Sequence, residues 1–208
     1  MKIYDISLSI HEGMPVYNNH PGKKPLIKTV KDFTQGSVYE SRIEMDMHTG
    51  THLDAPLHML EGGSTLDCVD LSRVVTPCRV LDLSGVQDRI GEAELKGKGI
   101  RTGEFILLKT RNSKVEGFDP SFVFLDGSGA RFLRDAGVGG VGIDALGIER
   151  SQPGHETHKI LLGAGIVILE GLRLLQIEEG EYILFAPPLK IIGTEAAPAR
   201  ALLVQLNG

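Results

Sequence analysis

Eight short runs along the chain have the apolar pattern of β-strands, and three other stretches have the pattern of short helices. Short strands interleaved with helices are typical of a mixed α/β fold, in which helices pack on the faces of a sheet. The predicted strands are residues 3–10, 41–47, 79–83, 105–110, 141–144, 166–169, 182–186 and 201–205, and the predicted helices are residues 91–96, 129–136 and 155–162. We therefore expect an α/β protein. The pattern does not give the order of the strands.

Composition excludes several classes of protein. The 208 residues are even in composition, with no repeat or linker, which predicts one domain over residues 1–208. A net charge of −5 gives no support to nucleic-acid binding. The longest apolar run, residues 160–169, is too short to cross a membrane, and no secretory signal is visible. We expect a cytoplasmic protein without a membrane partner, and we expect Cys68 and Cys78 to be core thiols rather than a disulfide framework.

The segment most informative about function is residues 48–58, which holds three of the chain's seven histidines. His48, His52 and Asp54 share the parity of one strand face. In a straight strand His48 and His52 would lie about 13 Å apart, too far to share a metal ion. The chain must therefore bend between them, and Gly50 is the residue that permits a bend at low steric cost.

Two imidazoles and a carboxylate suit Zn²⁺, Mn²⁺ or Fe²⁺ in a site with open coordination positions. The density of histidines favours such a metal site over the alternative, which is a set of histidines that are close by chance. His58 follows Asp54 by four residues and comes after a proline. The residues alone leave two roles open for His58, a further metal ligand or a general base near the metal.

A second group of histidines lies at residues 155–158. His155 and His158 are neighbours on a helix, which by itself is more typical of a solvated helix start than of a ligand pair. The next strand, however, runs directly into Glu170. A buried carboxylate needs a partner, and a metal ion would supply one, whereas a carboxylate that points into water would not need it. The residues alone leave both alternatives open.

One motif is discounted. Residues 137–142 match the GxGxxG pattern literally, but a helix precedes them and a strand follows them, which is the reverse of a dinucleotide-binding unit. We interpret this segment as a helix C-terminus and a turn.

The segment HTGTHLDAPLH at residues 48–58 resembles the HxGTHxDxPxH signature of the cyclase family of metal-dependent hydrolases. The resemblance extends over nearly the whole chain. Residues 4–7 and 13–16 resemble the N-terminus of the family, residues 142–144 resemble its central strand, and His158 with Glu170 resembles its second pair of metal ligands.

The resemblance implies an α/β fold around a barrel-like central sheet flanked by short helices, and a homodimer. It implies two divalent metal ions per chain, with Zn²⁺ as the first choice and Mn²⁺ as the alternative. One ion would be held by His48, His52 and Asp54. Asp54 would bridge to a second ion held by His158 and Glu170, with His58 as general acid and base.

The best-known small bacterial members of the family are kynurenine formamidases, so the resemblance implies an arylformamidase that hydrolyses N-formyl-L-kynurenine to L-kynurenine and formate. Many of these enzymes carry a tryptophan near the N-terminus, where this chain, which has no tryptophan, has Tyr17. We expect Tyr17 to form part of an apolar wall for the substrate. The alternatives are hydrolysis of another small amide, such as an isatin-like cyclic imide, and a non-catalytic metal or small-molecule binding protein, which would not need His58.

Overall fold

Thirteen strands and three α-helices form the regular structure of residues 1–206, the part of the chain that the computed structural model describes. The strands are β1 (Lys2–Asp5), β2 (Leu26–Lys31), β3 (Glu40–Glu44), β4 (His52–Asp54), β5 (Val75–Asp82), β6 (Arg89–Ile90), β7 (Phe105–Lys109), β8 (Phe124–Leu125), β9 (Gly140–Ile143), β10 (Val167–Glu170), β11 (Gly180–Phe185), β12 (Ala196–Pro198) and β13 (Leu202–Gln205). The helices are α1 (Glu92–Leu95), α2 (Gly127–Ala136) and α3 (Glu156–Gly163).

Nine of these strands form one curled mixed sheet, in the order β1-β13-β11-β5-β7-β9-β10-β4-β12. The four central strands β5, β7, β9 and β10 are parallel, and the strands on both sides are antiparallel to their neighbours. Strands β2 and β3 form a separate hairpin, and β6 and β8 form a short parallel pair. The predicted class, an α/β fold with a central mixed sheet and few short helices, is confirmed.

Residues of the parallel strands alternate between two hydrophobic cores. On β7, Ile106 and Leu108 face the core that α2 and α3 cover, whereas Phe105 and Leu107 face the core on the opposite side of the sheet. Because both faces are buried, β7 reads as a continuous apolar run rather than as an alternating one.

The boundaries of several elements differ from the prediction. The first strand ends at Asp5 rather than at residue 10, and β3 ends at Glu44 rather than at residue 47. Cys78 lies in the core as predicted, but Cys68 is exposed, so the prediction of two core thiols is wrong for Cys68. Its short 3-10 turn, Leu66–Cys68, lies at the surface and buries only Leu66. Within residues 1–206, no helix is long and apolar enough to span a membrane.

Candidate metal centre

Two neighbouring strands of the sheet carry three of the predicted ligands. His52 and Asp54 stand two residues apart on β4, so their side chains lie on the same face. Strand β10 runs antiparallel to β4 and places Glu170 directly opposite His52. As a result, His52 Nε2 lies 3.3 Å from Glu170 Oε2 and 3.5 Å from Asp54 Oδ1. The carboxylates of Asp54 and Glu170 therefore both lie against the Nε2 atom of His52.

His48 reaches the same place through a bend. The chain turns after β3, with the amide of Thr49 donating to the carbonyl of Asp46, and Gly50 adopts a left-handed conformation with φ of +67°. The bend brings the rings of His48 and His52 to 4.9 Å between centroids. His48 Nδ1 then lies 3.1 Å from Asp54 Oδ1. The turn at Gly50 thus brings His48 and His52 much closer together than they would be in a straight strand.

Helix α3 supplies His158 from the other side. Its Nε2 atom lies 3.4 Å from Asp54 Oδ2 and 3.4 Å from Glu170 Oε1. Asp54 therefore presents one oxygen to His48 and His52 and the other to His158. This geometry is the one that a carboxylate bridging two sites would need.

The chemistry of this cluster fits divalent metal ions. His52, Asp54, His158 and Glu170 are each at most 5% exposed. Within the described residues, His52 Nε2 and both carboxylate oxygens of Asp54 are buried without a hydrogen-bond partner. Buried polar atoms without partners are costly, and a metal ion would give these ones partners. One ligand atom each of His52, Asp54 and Glu170 lies close enough to share an ion, and the same holds for His48, Asp54 and His58. A third such group is formed by Glu149, His155 and His158.

The charges of the cluster shift the pKa values of its members in opposite directions. Burial acts to lower the pKa of His158, but its contacts with Asp54, Glu149 and Glu170 outweigh burial and raise it to about 12. Burial also acts to lower the pKa of His52, but the nearby Glu170 and Asp54 outweigh it and raise the pKa to about 9. Burial would raise the pKa of Glu170, and so would the nearby charge of Asp54, but the two histidines lower it to about 2. Without an ion, the two histidines carry the protons that balance the ionised carboxylates. A divalent ion bound here would replace these protons, so binding would release them.

Sequence reasoning missed Glu149. This carboxylate is 5% exposed, lies in an irregular segment before α3, and approaches Nδ1 of His158 at 3.2 Å and Nδ1 of His155 at 2.6 Å. It also accepts the backbone amide of His158 at 3.2 Å. The contact with Nδ1 is a close approach and not an aligned hydrogen bond. A carboxylate in this position behind a histidine can orient the ring so that its other nitrogen faces a metal. No sequence pattern marks Glu149, because it lies in an irregular segment without the periodicity of a helix or a strand.

A cavity of about 300 Å³ opens onto the cluster. His58 lines it from the 3-10 turn Pro56–His58, with its ring 4.2 Å from that of His48 and 5.5 Å from that of His158. Burial lowers the pKa of His58, and the charges of His48 and His158 add to this effect while those of Asp54 and Glu170 oppose it. A neutral imidazole beside the cluster can accept a proton.

Tyr17 lines the same cavity. Its ring packs edge-on against Phe118 at 5.3 Å and Phe122 at 6.2 Å between centroids. Burial, together with the charges of Glu170 and Glu149, raises the pKa of the phenol, so its hydroxyl stays protonated. The structure therefore brings all seven residues singled out from the sequence to one cavity and its floor, the other six being His48, His52, Asp54, His58, His158 and Glu170.

Comparison with known proteins agrees with this picture. Residues 4–150 match the family model described as a putative cyclase. The chain belongs to the cyclase family. It is 34% identical to a kynurenine formamidase of Salinibacter ruber, over 98% of this chain and 97% of the relative.

Solved structures place this cyclase-family chain in the same group. A structure described as a potential metal-dependent hydrolase with cyclase activity is 50% identical and superposes with a TM-score of 0.93, covering 100% of this chain and 99% of that one. Isatin hydrolase A of Labrenzia aggregata is 26% identical, with a TM-score of 0.85, over 99% of this chain and 94% of that one. The predicted family membership is confirmed.

Proposed function

We propose that this protein is a metal-dependent amide hydrolase, an arylformamidase that converts N-formyl-L-kynurenine to L-kynurenine and formate. The observation that carries the proposal is the Asp54 carboxylate set between three histidines at the floor of a cavity, with a fourth histidine beside it. The similarity to the kynurenine formamidase of Salinibacter ruber, over nearly the full length of both chains, supports the substrate.

Two divalent ions would be held at the floor of the cavity. His48, His52 and Asp54 would hold one, and Asp54, His158 and Glu170 would hold the other. Imidazole and carboxylate donors suit Zn²⁺, our first choice, and also Mn²⁺. When bound, such ions polarise an amide carbonyl and make water a stronger nucleophile at neutral pH.

The residues of the chain divide the remaining work between them. His58 accepts a proton from the attacking water and delivers it to the amide nitrogen as the carbon–nitrogen bond breaks. Glu149 holds the ring of His158 in position from behind. Tyr17 and the apolar residues beside it, Val16, Met59 and Leu146, offer a surface for the aryl ring of the substrate. The formyl group is small, so its carbonyl can reach the floor of the cavity while the ring stays on this wall.

The decisive experiment combines elemental analysis of the purified protein with an assay of N-formyl-L-kynurenine hydrolysis. We expect two divalent ions per chain and release of kynurenine and formate. A fully metal-loaded protein without formamide turnover would reject the formamidase proposal and keep only the hydrolase class.

Asp54 provides the sharpest test of the two-ion arrangement. Its two oxygens face different histidines, so Asp54→Ala should remove both ions, as measured by mass spectrometry of the metal content. Asp135→Ala, on the exposed face of α2, is the control and should keep both. Retention of two tightly bound ions by Asp54→Ala would show that Asp54 does not bridge.

A second substrate class follows from the structural comparison. Isatin hydrolase A shares the fold over almost the whole chain, and isatin carries a cyclic amide fused to an aryl ring. Isatin should therefore be assayed beside the formamide. A kcat/KM that is higher for isatin would make cyclic amide hydrolysis the main activity.

We also propose that the protein is a cytoplasmic homodimer of one-domain chains. The β2–β3 hairpin is exposed on both faces and carries apolar side chains, among them Phe33, Val38, Tyr39 and Ile43, which are between 47% and 73% exposed. Exposed apolar surface of this kind is typical of interfaces between chains. Light scattering coupled to size-exclusion chromatography would give the mass, and a monomer at micromolar concentration would reject the dimer.

A further inference from the structure

A pair of opposite charges, Lys23 and Asp46, lines the same cavity beside the histidine cluster. Lys23 Nζ lies 3.6 Å from Asp46 Oδ2, and the two side chains are 44% and 34% exposed. Neither residue belongs to the cluster of His48, His52, Asp54, His158 and Glu170. A partly exposed ion pair adds little to the stability of a fold, so replacing one member should leave the chain folded.

Local structure holds both charges in place. Lys23 ends the 3-10 turn Pro21–Lys23, whose entry is fixed by Pro21 and by the ring of His20, which accepts the amide of Gly22 at 3.2 Å. Asp46 stands at the start of the turn that leads to His48, and its Oδ1 accepts the amide of His48 at 3.4 Å. The carboxylate of Asp46 therefore keeps a set position relative to the candidate metal ligands.

Three chemically different kinds of side chain thus line the cavity. Its lining includes members of the histidine and carboxylate cluster, the largely apolar side chains of Tyr17, Met59 and Leu146, and the charged side chains of Lys23 and Asp46. A cation and an anion a few ångströms apart match a zwitterion, whose ammonium and carboxylate groups sit on one carbon atom. A charged group binds most strongly to an ionised partner of opposite sign.

We propose that Lys23 and Asp46 form a subsite for the zwitterionic head of an α-amino acid. Lys23 binds the α-carboxylate and Asp46 binds the α-ammonium group. The proposal rests on the proposed function and deepens it, since it selects aryl formamides that carry an amino-acid side chain over those that do not. N-formyl-L-kynurenine has such a head, whereas formanilide, the formamide of aniline, has none.

The experiment compares these two substrates in the metal-loaded enzyme. The variant is Lys23→Met, which removes the charge and keeps most of the length, and the matched control is Lys24→Met, whose lysine is exposed and lies outside the cavity lining. For each protein we measure kcat and KM on both substrates, and the dissociation constant of the product L-kynurenine by calorimetry. Metal content and circular dichroism establish that each variant is folded and loaded.

We expect Lys23→Met to lower the ratio of kcat/KM for N-formyl-L-kynurenine to that for formanilide by about tenfold or more, through KM. The dissociation constant of L-kynurenine should rise by a similar factor, and Lys24→Met should keep the ratio of the wild type. Asp46→Asn should lower the ratio as well, because the ammonium loses its ionised partner.

Other outcomes would overturn the proposal. If Lys23→Met keeps the ratio and the affinity for L-kynurenine of the wild type, the subsite does not exist, while the proposed hydrolase activity stands. Equal kcat/KM of the wild type on both substrates has the same consequence. If the loaded wild type hydrolyses neither substrate, the proposed function fails, and the subsite, which rests on it, fails with it.

Discussion

At the scale of single residues, His58 separates a catalyst from a protein that only binds metal. It lies beside His48 and His158 and is held by the turn Pro56–His58. If it moves the proton during hydrolysis, His58→Ala should lower kcat by about 10²–10⁴-fold and leave the metal content nearly unchanged. Steady-state kinetics with elemental analysis measures both quantities, and His11→Ala, an exposed histidine outside the cavity, serves as the control. Wild-type kcat in His58→Ala would remove this residue from the mechanism.

Glu149 acts one contact further from the reaction. Because it meets Nδ1 of His158, its replacement should loosen the orientation of that ring. Glu149→Gln should weaken binding of the ion that His158 would hold by about 10–100-fold, as measured by competition with a chelator. Glu61→Gln, at an exposed position, is the control and should bind metal as the wild type does. An unchanged metal affinity in Glu149→Gln would show that the contact only stabilises the fold.

The sequence predicts residues of this site unequally well. His48, His52, Asp54 and His58 stand in one short segment, so their density and spacing mark them. His158 and Glu170 belong to separate elements and are recognised through a family resemblance. Glu149, Lys23 and Asp46 carry no such signal, because only the folded chain brings an irregular segment, a 3-10 turn and a loop to the same cavity.

At the scale of elements, two glycines test how the strands of the site are joined. Gly171 directly follows Glu170, has φ of +71°, and a Cβ atom there would lie 2.2 Å from the carbonyl oxygen of Gly50. Gly165 has nearly the same φ, +70°, but open space around it. Gly165→Ala should therefore cost about 1–2 kcal/mol of unfolding free energy, the price of the left-handed conformation alone.

Gly171→Ala should cost more than Gly165→Ala, because the backbone of Gly50 would also have to move. A shift of Gly50 displaces the bend between His48 and His52, so this variant should lose metal affinity as well, whereas Gly165→Ala should keep it. Urea denaturation and metal titration of the two variants measure both effects. Equal destabilisation by the two substitutions would mean that the close approach to Gly50 is easily relieved.

Elements with strong local patterns are found from sequence, and short ones are not. The parallel strands β7, β9 and β10 are predicted within a few residues, because both their faces are buried and they read as apolar runs. Strand β4 has only three residues and includes two candidate ligands, so it has no strand pattern at all. The hairpin strand β3 does alternate in sequence, but all its residues are exposed, so the alternation marks no buried face of the described chain.

At the scale of the whole molecule, the order of the strands could not be predicted, because it depends on contacts between distant segments. Strand β1 pairs with β13, and β4 lies between β10 and β12, so the sheet joins the two ends of the chain. Local patterns carry no information on such pairings. The site depends on them, since Glu170 faces His52 only in this register.

The stability of the whole molecule should depend on pH through a charged group far from the site. Glu104 is 6% exposed in its side chain and binds the guanidinium of Arg79 through two hydrogen bonds of 2.6 and 2.9 Å, and it also pairs with Arg101. Burial would raise the pKa of Glu104, but these bonds outweigh it and lower the pKa. The unfolded state therefore binds the proton more readily than the folded state does.

The sign of the effect follows from this difference. The stabilisation is fully present above the pKa of an unfolded glutamate, about 4.3, and is lost as the pH falls through the lower pKa of the folded state. Glu104→Gln should lower the free energy of unfolding by about 1–3 kcal/mol at neutral pH, and the difference from the wild type should shrink below about pH 4.

Urea denaturation across this pH range measures the difference in the free energy of unfolding between Glu104→Gln and the wild type. Because both proteins keep the same metal ligands, this difference isolates the effect of Glu104. Glu181→Gln, whose carboxylate is 70% exposed and also meets Arg101, should change stability far less. A difference between wild type and Glu104→Gln that stays constant down to the acid range would show that the pair with Arg79 does not hold the carboxylate ionised.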